Sequence, residues 1–115
     1  MAYDEYAAER VDRILQSKSV AFEQKKMFGG VAFMVNHKMC IGVIKNELMC
    51  RVGEELQETA LQQIGAKAME FTGKPMKGYV SVEPDGFDTE NQLEQWVNWC
   101  LAFNPKAKAS KNRKS

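Results

Sequence analysis

The chain has 115 residues, a length that fits one domain able to bury a core without disulfides or metals. Hydrophobic residues make up 44% and charged residues 27%, which marks a globular protein and excludes a disordered one. The net charge of +1 averages two unlike parts: residues 104–115 carry Lys106, Lys108, Lys111, Arg113 and Lys114 with no acid, while the remainder carries 11 basic and 15 acidic side chains.

The first predicted element runs from about Asp4 to Leu15. Ala7, Val11, Ile14 and Leu15 share one helical face, and Asp4 and Glu5 sit at its positive end. The period then changes. Apolar runs at 26–35, 39–44 and 48–52, broken by Asn36-His37-Lys38 and Lys45-Asn46-Glu47, predict a meander of three antiparallel strands. Asn36 and Asn46 suit the turns because asparagine tolerates left-handed backbone. After Gly53, the residues Leu56, Ala60, Leu61 and Ile64 predict a second helix that stops at Gly65. Ala68–Phe71 and Tyr79–Val82 read as a second strand pair, joined by a long breaker-rich connector, residues 72–78. Thr89-Glu90-Asn91-Gln92 matches a capping box, and Leu93, Trp96, Val97, Cys100 and Leu101 form the clearest helical stripe, ended by Asn104-Pro105.

The expected fold is therefore α+β in two layers, of order α-β-β-β-α-β-β-α, with a mainly antiparallel five-stranded sheet and helices on one face. Residues 1–103 form the domain. Residues 104–115 are a basic tail, expected to be disordered for want of apolar residues. No run approaches the roughly 18 apolar residues of a membrane span. The mixed, acidic N-terminus does not read as a secretory signal, so a cytoplasmic protein is expected.

Few residues point to chemistry. Cys40, Cys50 and Cys100 are odd in number, lack a C-x-x-C spacing and lie in apolar segments, so they read as reduced core thiols. Cys40 and Cys50 fall on successive strands and could be redox neighbours, but nothing nearby would lower a thiol pKa. His37 is the only histidine, and no spacing indicates a metal site or a cofactor. No catalytic set is visible. Gly29-Gly30 is followed by a strand rather than a helix, so a bulge or a close backbone approach fits better than a phosphate cradle. Lys74, Pro75, Met76 and Lys77 form a candidate partner-binding loop. The seven methionines, among them Met27, Met34, Met39, Met49, Met69 and Met76, read as core filling ahead of an adaptable binding surface, with Met76 in the connector the exception. Trp96 joins the core stripe, while Trp99 lies off its centre and suits an interface.

Three stretches carry a resemblance: 27–36 (Met-Phe-Gly-Gly-Val-Ala-Phe-Met-Val-Asn), 48–53 (Leu-Met-Cys-Arg-Val-Gly) and 69–80 (Met-Glu-Phe-Thr-Gly-Lys-Pro-Met-Lys-Gly-Tyr-Val). Together with the Trp96 helix and its closing Leu101-Ala102-Phe103, they resemble the N-terminal domain of the TfoX/Sxy family over nearly all of residues 3–103. The resemblance implies the same element order and marks Met27, Phe28, Gly29, Gly30, Gly73 and Gly78 as motif positions of structural type. His37 stands where glycine is common in related sequences. The resemblance also implies a stand-alone short form of proteins that regulate competence genes as transcriptional co-activators, acting through a protein partner such as a transcription regulator. A homodimer would cover exposed sheet edges. Two other classes are weighed against this: an enzyme of small-molecule or nucleotide metabolism or a ligand-binding protein, and weak non-specific nucleic-acid binding through the basic tail.

Overall fold

The computed structural model of the protein describes residues 3–27, 29–71 and 73–107. The elements follow in the order α1 (Glu5–Ser17), β1 (Glu23–Met27), β2 (Gly30–Val35), β3 (Lys38–Ile44), β4 (Glu47–Arg51), α2 (Glu54–Leu61), β5 (Ala66–Phe71), β6 (Lys74–Val82) and α3 (Glu90–Phe103). The sheet is antiparallel throughout, in the order β1-β2-β3-β4-β6-β5.

The α+β class and the single covered face are as expected, but the sheet has six strands, not five. The strand expected from residue 26 is two strands folded back on each other, with Met27 opposite Gly30. The added strand, Glu-Gln-Lys-Lys-Met, has no apolar alternation because it is an edge strand, where charge discourages pairing with other chains. Gly30 sits so close to β3 that a Cβ would collide with the Val43 carbonyl oxygen, which is the close backbone approach expected of this glycine pair. Phe28 lies outside the described residues.

The connector expected at 72–78 is also shorter than the sequence suggested. Phe71 pairs with Lys74 and Glu70 with Pro75, so Lys74, Pro75, Met76 and Lys77 belong to strand β6 rather than to a loop. Proline is tolerated here because β4 pairs with β6 only from Tyr79 onward, leaving the start of β6 bonded on one side. β6 is thus inserted between β4 and β5. Both neighbours are antiparallel to it, so β4 and β5 run parallel, linked by α2.

Each helix follows its apolar stripe. Asp4 caps α1, its carboxylate accepting from the Tyr6 and Ala7 amides, and Ala7, Val11, Ile14 and Leu15 are buried. Thr89 and Gln92 form the expected reciprocal capping box on α3, and Leu93, Trp96, Val97 and Cys100 are buried. The Trp96 indole N–H donates to the Gly86 carbonyl at 3.1 Å. α2 ends at Leu61, earlier than its stripe implied, and Ile64 is 68% exposed rather than buried. α1 and α3 cover β3 and β4, and α2 covers β6 and β5. Burying one large aliphatic side chain in this layer stabilises the fold by about 1.5–3 kcal/mol.

Asn104 and Ala107 are buried, so the domain runs past the expected boundary at 103. Asn104 is 2% exposed. Its amide donates to the Val35 carbonyl at 3.1 Å, and its side-chain oxygen accepts from Asn36 at 2.8 Å. Lys38 donates to its backbone carbonyl at 3.0 Å. These bonds tie the end of α3 to the β2–β3 turn, where Asn36 and His37 both hold positive φ (56° and 64°).

Two stability outcomes follow. Asn104→Ala should cost about 2–3 kcal/mol in urea unfolding, because the Val35 carbonyl and the Asn36 amide lose a buried partner. His37→Gly should stabilise by about 0.5–1 kcal/mol, since glycine meets no Cβ clash in the left-handed region. Unfolding midpoints of both variants check the assignment, and a destabilised His37→Gly would show that the turn is unstrained.

Candidate functional site

α2 starts directly after strand β4, at Gly53. This residue has φ 91° and contributes no side chain to cap the helix. Its flat backbone lets Phe103 of α3 lie against it: a Cβ on Gly53 would sit 2.5 Å from the Phe103 ring. The Val52 and Gly53 amides both donate to the Gly78 carbonyl, at 2.9 and 3.0 Å, which fastens the β4–α2 junction to β6. A Cβ on Gly78 would lie 3.4 Å from Gly53 backbone atoms. Gln57 closes the same joint, accepting from the Gly78 amide at 3.0 Å.

Beside this joint a groove of about 600 Å³ separates α2 from α3, lined by Val52, Leu56, Trp99, Ala102 and Phe103, with Glu54, Glu55 and Lys106 at its margins. Trp99 is half-buried and meets the Trp96 ring edge-on at 5.3 Å, so the tryptophan off the stripe is the one that lines the groove. The groove runs into a second depression of about 310 Å³ that shares Gly53, Glu54, Phe103 and Lys106 and adds Arg51, Lys77 and Tyr79. The Arg51 guanidinium stacks over the Tyr79 ring at 5.5 Å and the Phe103 ring at 5.8 Å.

The fold therefore brings together two residues that the sequence placed in separate features, Lys77 of the partner-binding segment and Lys106 of the basic tail. Met76 is half-buried and Lys77 exposed on β6. Gly73 lies exposed at the β5–β6 turn. Lys108, Lys111, Arg113 and Lys114 lie outside the described residues. Arg51, Gly53, Leu56 and Phe103 were not read as site residues. The available signal was local: a glycine between a strand and a helix start, with no Ser, Thr, Asp or Asn to cap it.

The sheet face away from the helices forms a second candidate surface. Lys25, Ala32, Gly42, Met49, Ser81 and Lys67 make one cross-strand row. Ala32, Met39 and Met49 are buried there, with Met34, Ile44, Met69 and Tyr79 half-buried around them and no helical residue among them. Met49 reaches over Gly42, its methyl 2.8 Å from where a Cβ would stand. Met34, Met39, Met49 and Met69 are thus gathered on one face. They pack together there, which combines the core-filling and surface readings. At one rim Glu47 accepts from Lys67 at 2.9 Å and from Ser81 at 2.8 Å. Burial pushes the Glu47 carboxyl up, but these hydrogen bonds outweigh it and hold it below the usual carboxylate range. Hydrogen bonds to Glu47 and Glu83 raise Lys67 in turn.

The three thiols are all buried. Across β3 and β4 Cys50 pairs with Ile41 rather than with Cys40, and it is Cys100 of α3 that interacts with both Cys40 and Cys50. Hydrogen bonding to Cys100, and then burial, push the Cys40 thiol far above its ordinary value, and burial does the same to Cys100. Raised pKa values oppose thiolate formation, which redox reactivity requires. Among the described residues, no group of three or more His, Cys, Asp or Glu could hold a metal ion, and no helix is long and apolar enough to cross a membrane.

Residues 15–104 match the family model of the TfoX N-terminal domain. No curated protein and no solved structure matches the chain.

The thiols predict a pH dependence. Folded Cys40 and Cys100 stay protonated where unfolded thiols ionise, above about pH 8.5. The unfolded state then binds fewer protons than the folded one, so stability is fully present below that pH and falls as pH rises. The slope is about 1.4 kcal/mol per pH unit for each thiol. Urea unfolding between about pH 8 and 10 should show this loss, with a shallower slope in Cys40→Ala; equal slopes would contradict the assignment.

Proposed function

The chain belongs to the TfoX N-terminal domain family, and from that premise we propose that it is a regulatory protein-interaction domain. It acts by binding rather than catalysis, in the cytoplasm, and modulates transcription through a protein partner, as its likeness to the TfoX/Sxy competence regulators implies. The observation that carries this reading is the methionine-rich sheet face. Methionine is unbranched and polarizable, and it adapts to different partner shapes. Half-buried Met34, Ile44, Met69 and Tyr79 surround a dry centre, and Glu47, Lys67 and Lys25 supply a charged margin. An apolar centre with a polar rim is the usual anatomy of a protein interface.

The groove walls support binding over catalysis as well. Among the described residues their ionisable side chains are Arg51, Lys77, Tyr79, Lys106, Glu54 and Glu55, with no Ser, Cys or His that could serve as a nucleophile with its base.

The test is affinity capture of the tagged protein from its own nuclease-treated cells. A stoichiometric partner should be retained by a chain lacking residues 108–115. It should fall by about ten-fold with Met34→Glu plus Met69→Glu, because a carboxylate would be buried unpaired at the interface. The partner's identity should connect to transcription, and target transcripts should change when the gene is deleted. Capture unaffected by the methionine changes, in a variant with native circular dichroism, removes this face from the reading. A partner set without any transcription component removes the regulatory role.

A further inference from the structure

We propose that the groove between α2 and α3 is a binding site for a small organic monoanion, a ring-bearing apolar body ending in one carboxylate or sulfonate group. This goes beyond the interaction reading and does not rest on it, since the groove lies between two helices and shares only Tyr79, at its lysine end, with the methionine face.

Shape is the first support. At about 600 Å³ the groove falls within the usual range for small-molecule sites, roughly 300–1,000 Å³, which are mostly apolar with a few placed polar groups. Val52, Leu56, Trp99 and Phe103 supply the apolar wall, and three of them, Leu56, Trp99 and Phe103, remain half-buried. The aromatic rings are also held in place. Trp99 is braced edge-on by buried Trp96, and Phe103 is set between the Gly53 backbone and the Arg51 guanidinium. A ring-shaped ligand would meet rigid faces, which lowers the entropy lost on binding.

Charge is the second support, and it is independent of shape. Lys77 comes from β6 and Lys106 from the turn after α3, and both line the depression into which the groove runs. Among the described residues neither lysine has an ion pair or a hydrogen-bond acceptor of its own. Like charges directed at one depression repel, and an anion between them relieves that repulsion. The start of α2 adds to the same field. Gly53 offers no capping oxygen, so the first amides of α2 meet no side-chain acceptor, and the positive end of the helix dipole lies beside Lys77 and Lys106.

Glu54 and Glu55 set the limit on ligand charge. Both line the groove at the first turn of α2 and are exposed, and Glu54 also borders the lysine depression, where Arg51, Lys77 and Lys106 leave a net positive charge. A second acidic group on the ligand body would face them. The site therefore favours one anionic group at the lysine end and a neutral body along Trp99 and Leu56.

The full chain can be titrated with 8-anilinonaphthalene-1-sulfonate, a ring pair carrying one sulfonate, and with N-phenyl-1-naphthylamine, the same ring pair without it. Probe fluorescence and quenching of tryptophan emission report binding, and amide chemical shifts report its place. The sulfonate probe should bind saturably, one to one, and about ten-fold more tightly than the neutral probe, the worth of one charge-assisted contact. Shifts should fall on residues 52–56, 77–79 and 99–106. Lys77→Gln plus Lys106→Gln should weaken the sulfonate probe by about ten-fold and leave the neutral probe and the melting temperature unchanged. Trp99→Leu should weaken both probes.

Four results would each overturn the proposal: no saturable binding, equal affinity for the two probes, shifts confined to the methionine face, or a lysine double variant that binds the sulfonate as the wild type does. If the double variant melts early, the single changes Lys77→Gln and Lys106→Gln decide, each expected to weaken only the sulfonate probe. Loss of partner capture by the methionine variant with sulfonate binding intact would separate the two sites.

Discussion

Leu48 to Arg51 of β4 pair with Val82 to Tyr79 of β6, and this ladder joins the N-terminal meander to the C-terminal hairpin as one sheet. Much else follows from it. Because β6 takes the place beside β4, β5 is left at the edge, and the chain must pass from β4 to β5 over the top of β6. That passage is α2. It can begin immediately after β4 only because Gly53 adopts positive φ and because the Gly78 carbonyl collects the Val52 and Gly53 amides as the ladder ends. The groove between α2 and α3 is a consequence of the same pairing, since α2 is drawn over β6 and β5 while α3 stays over β3 and β4.

The sheet separates two kinds of apolar surface. Towards the helices it presents Val, Ile, Leu and Phe, branched or aromatic side chains that interlock with the stripes of α1 and α3. Away from the helices it presents alanine, glycine and methionine around Ala32, Gly42 and Met49. Among the described residues no helix packs on this face, and the long methionine side chains fold down over their small neighbours and exclude water themselves. A surface built this way is already partly dry and can still change shape, whereas the helical side is committed to one packing.

The core thiols and Asn104 show how polar groups are accommodated in this arrangement. Cys40, Cys50 and Cys100 meet at the contact of β3, β4 and α3, where small side chains let the helix approach the sheet. All three are buried and pack as small apolar groups, and in Cys40 and Cys100 the surroundings favour the neutral thiol. Asn104 answers the Val35 carbonyl and the Asn36 amide together, which closes the end of α3 onto the β2–β3 turn and carries the fold through residue 107.

The sequence by itself determined the elements whose evidence is local. Thr89 and Gln92 announced α3, the spacing of Val11, Ile14 and Leu15 announced α1, and the apolar runs around Val31, Ile41 and Leu48 announced the central strands. These signals survive in one dimension because helix and strand periods act over a few residues. β1 was hidden because an edge strand is charged on purpose, and the start of β6 because proline and glycine resemble a loop wherever only one side of a strand is bonded. Only the tertiary structure decided that β6 lies between β4 and β5, that Met34, Met39, Met49 and Met69 share one face, and that Lys77 and Lys106 line one depression. Those facts depend on which distant strands pair and where α2 crosses. Such choices are made by the summed packing of the whole core, which no short stretch of sequence encodes.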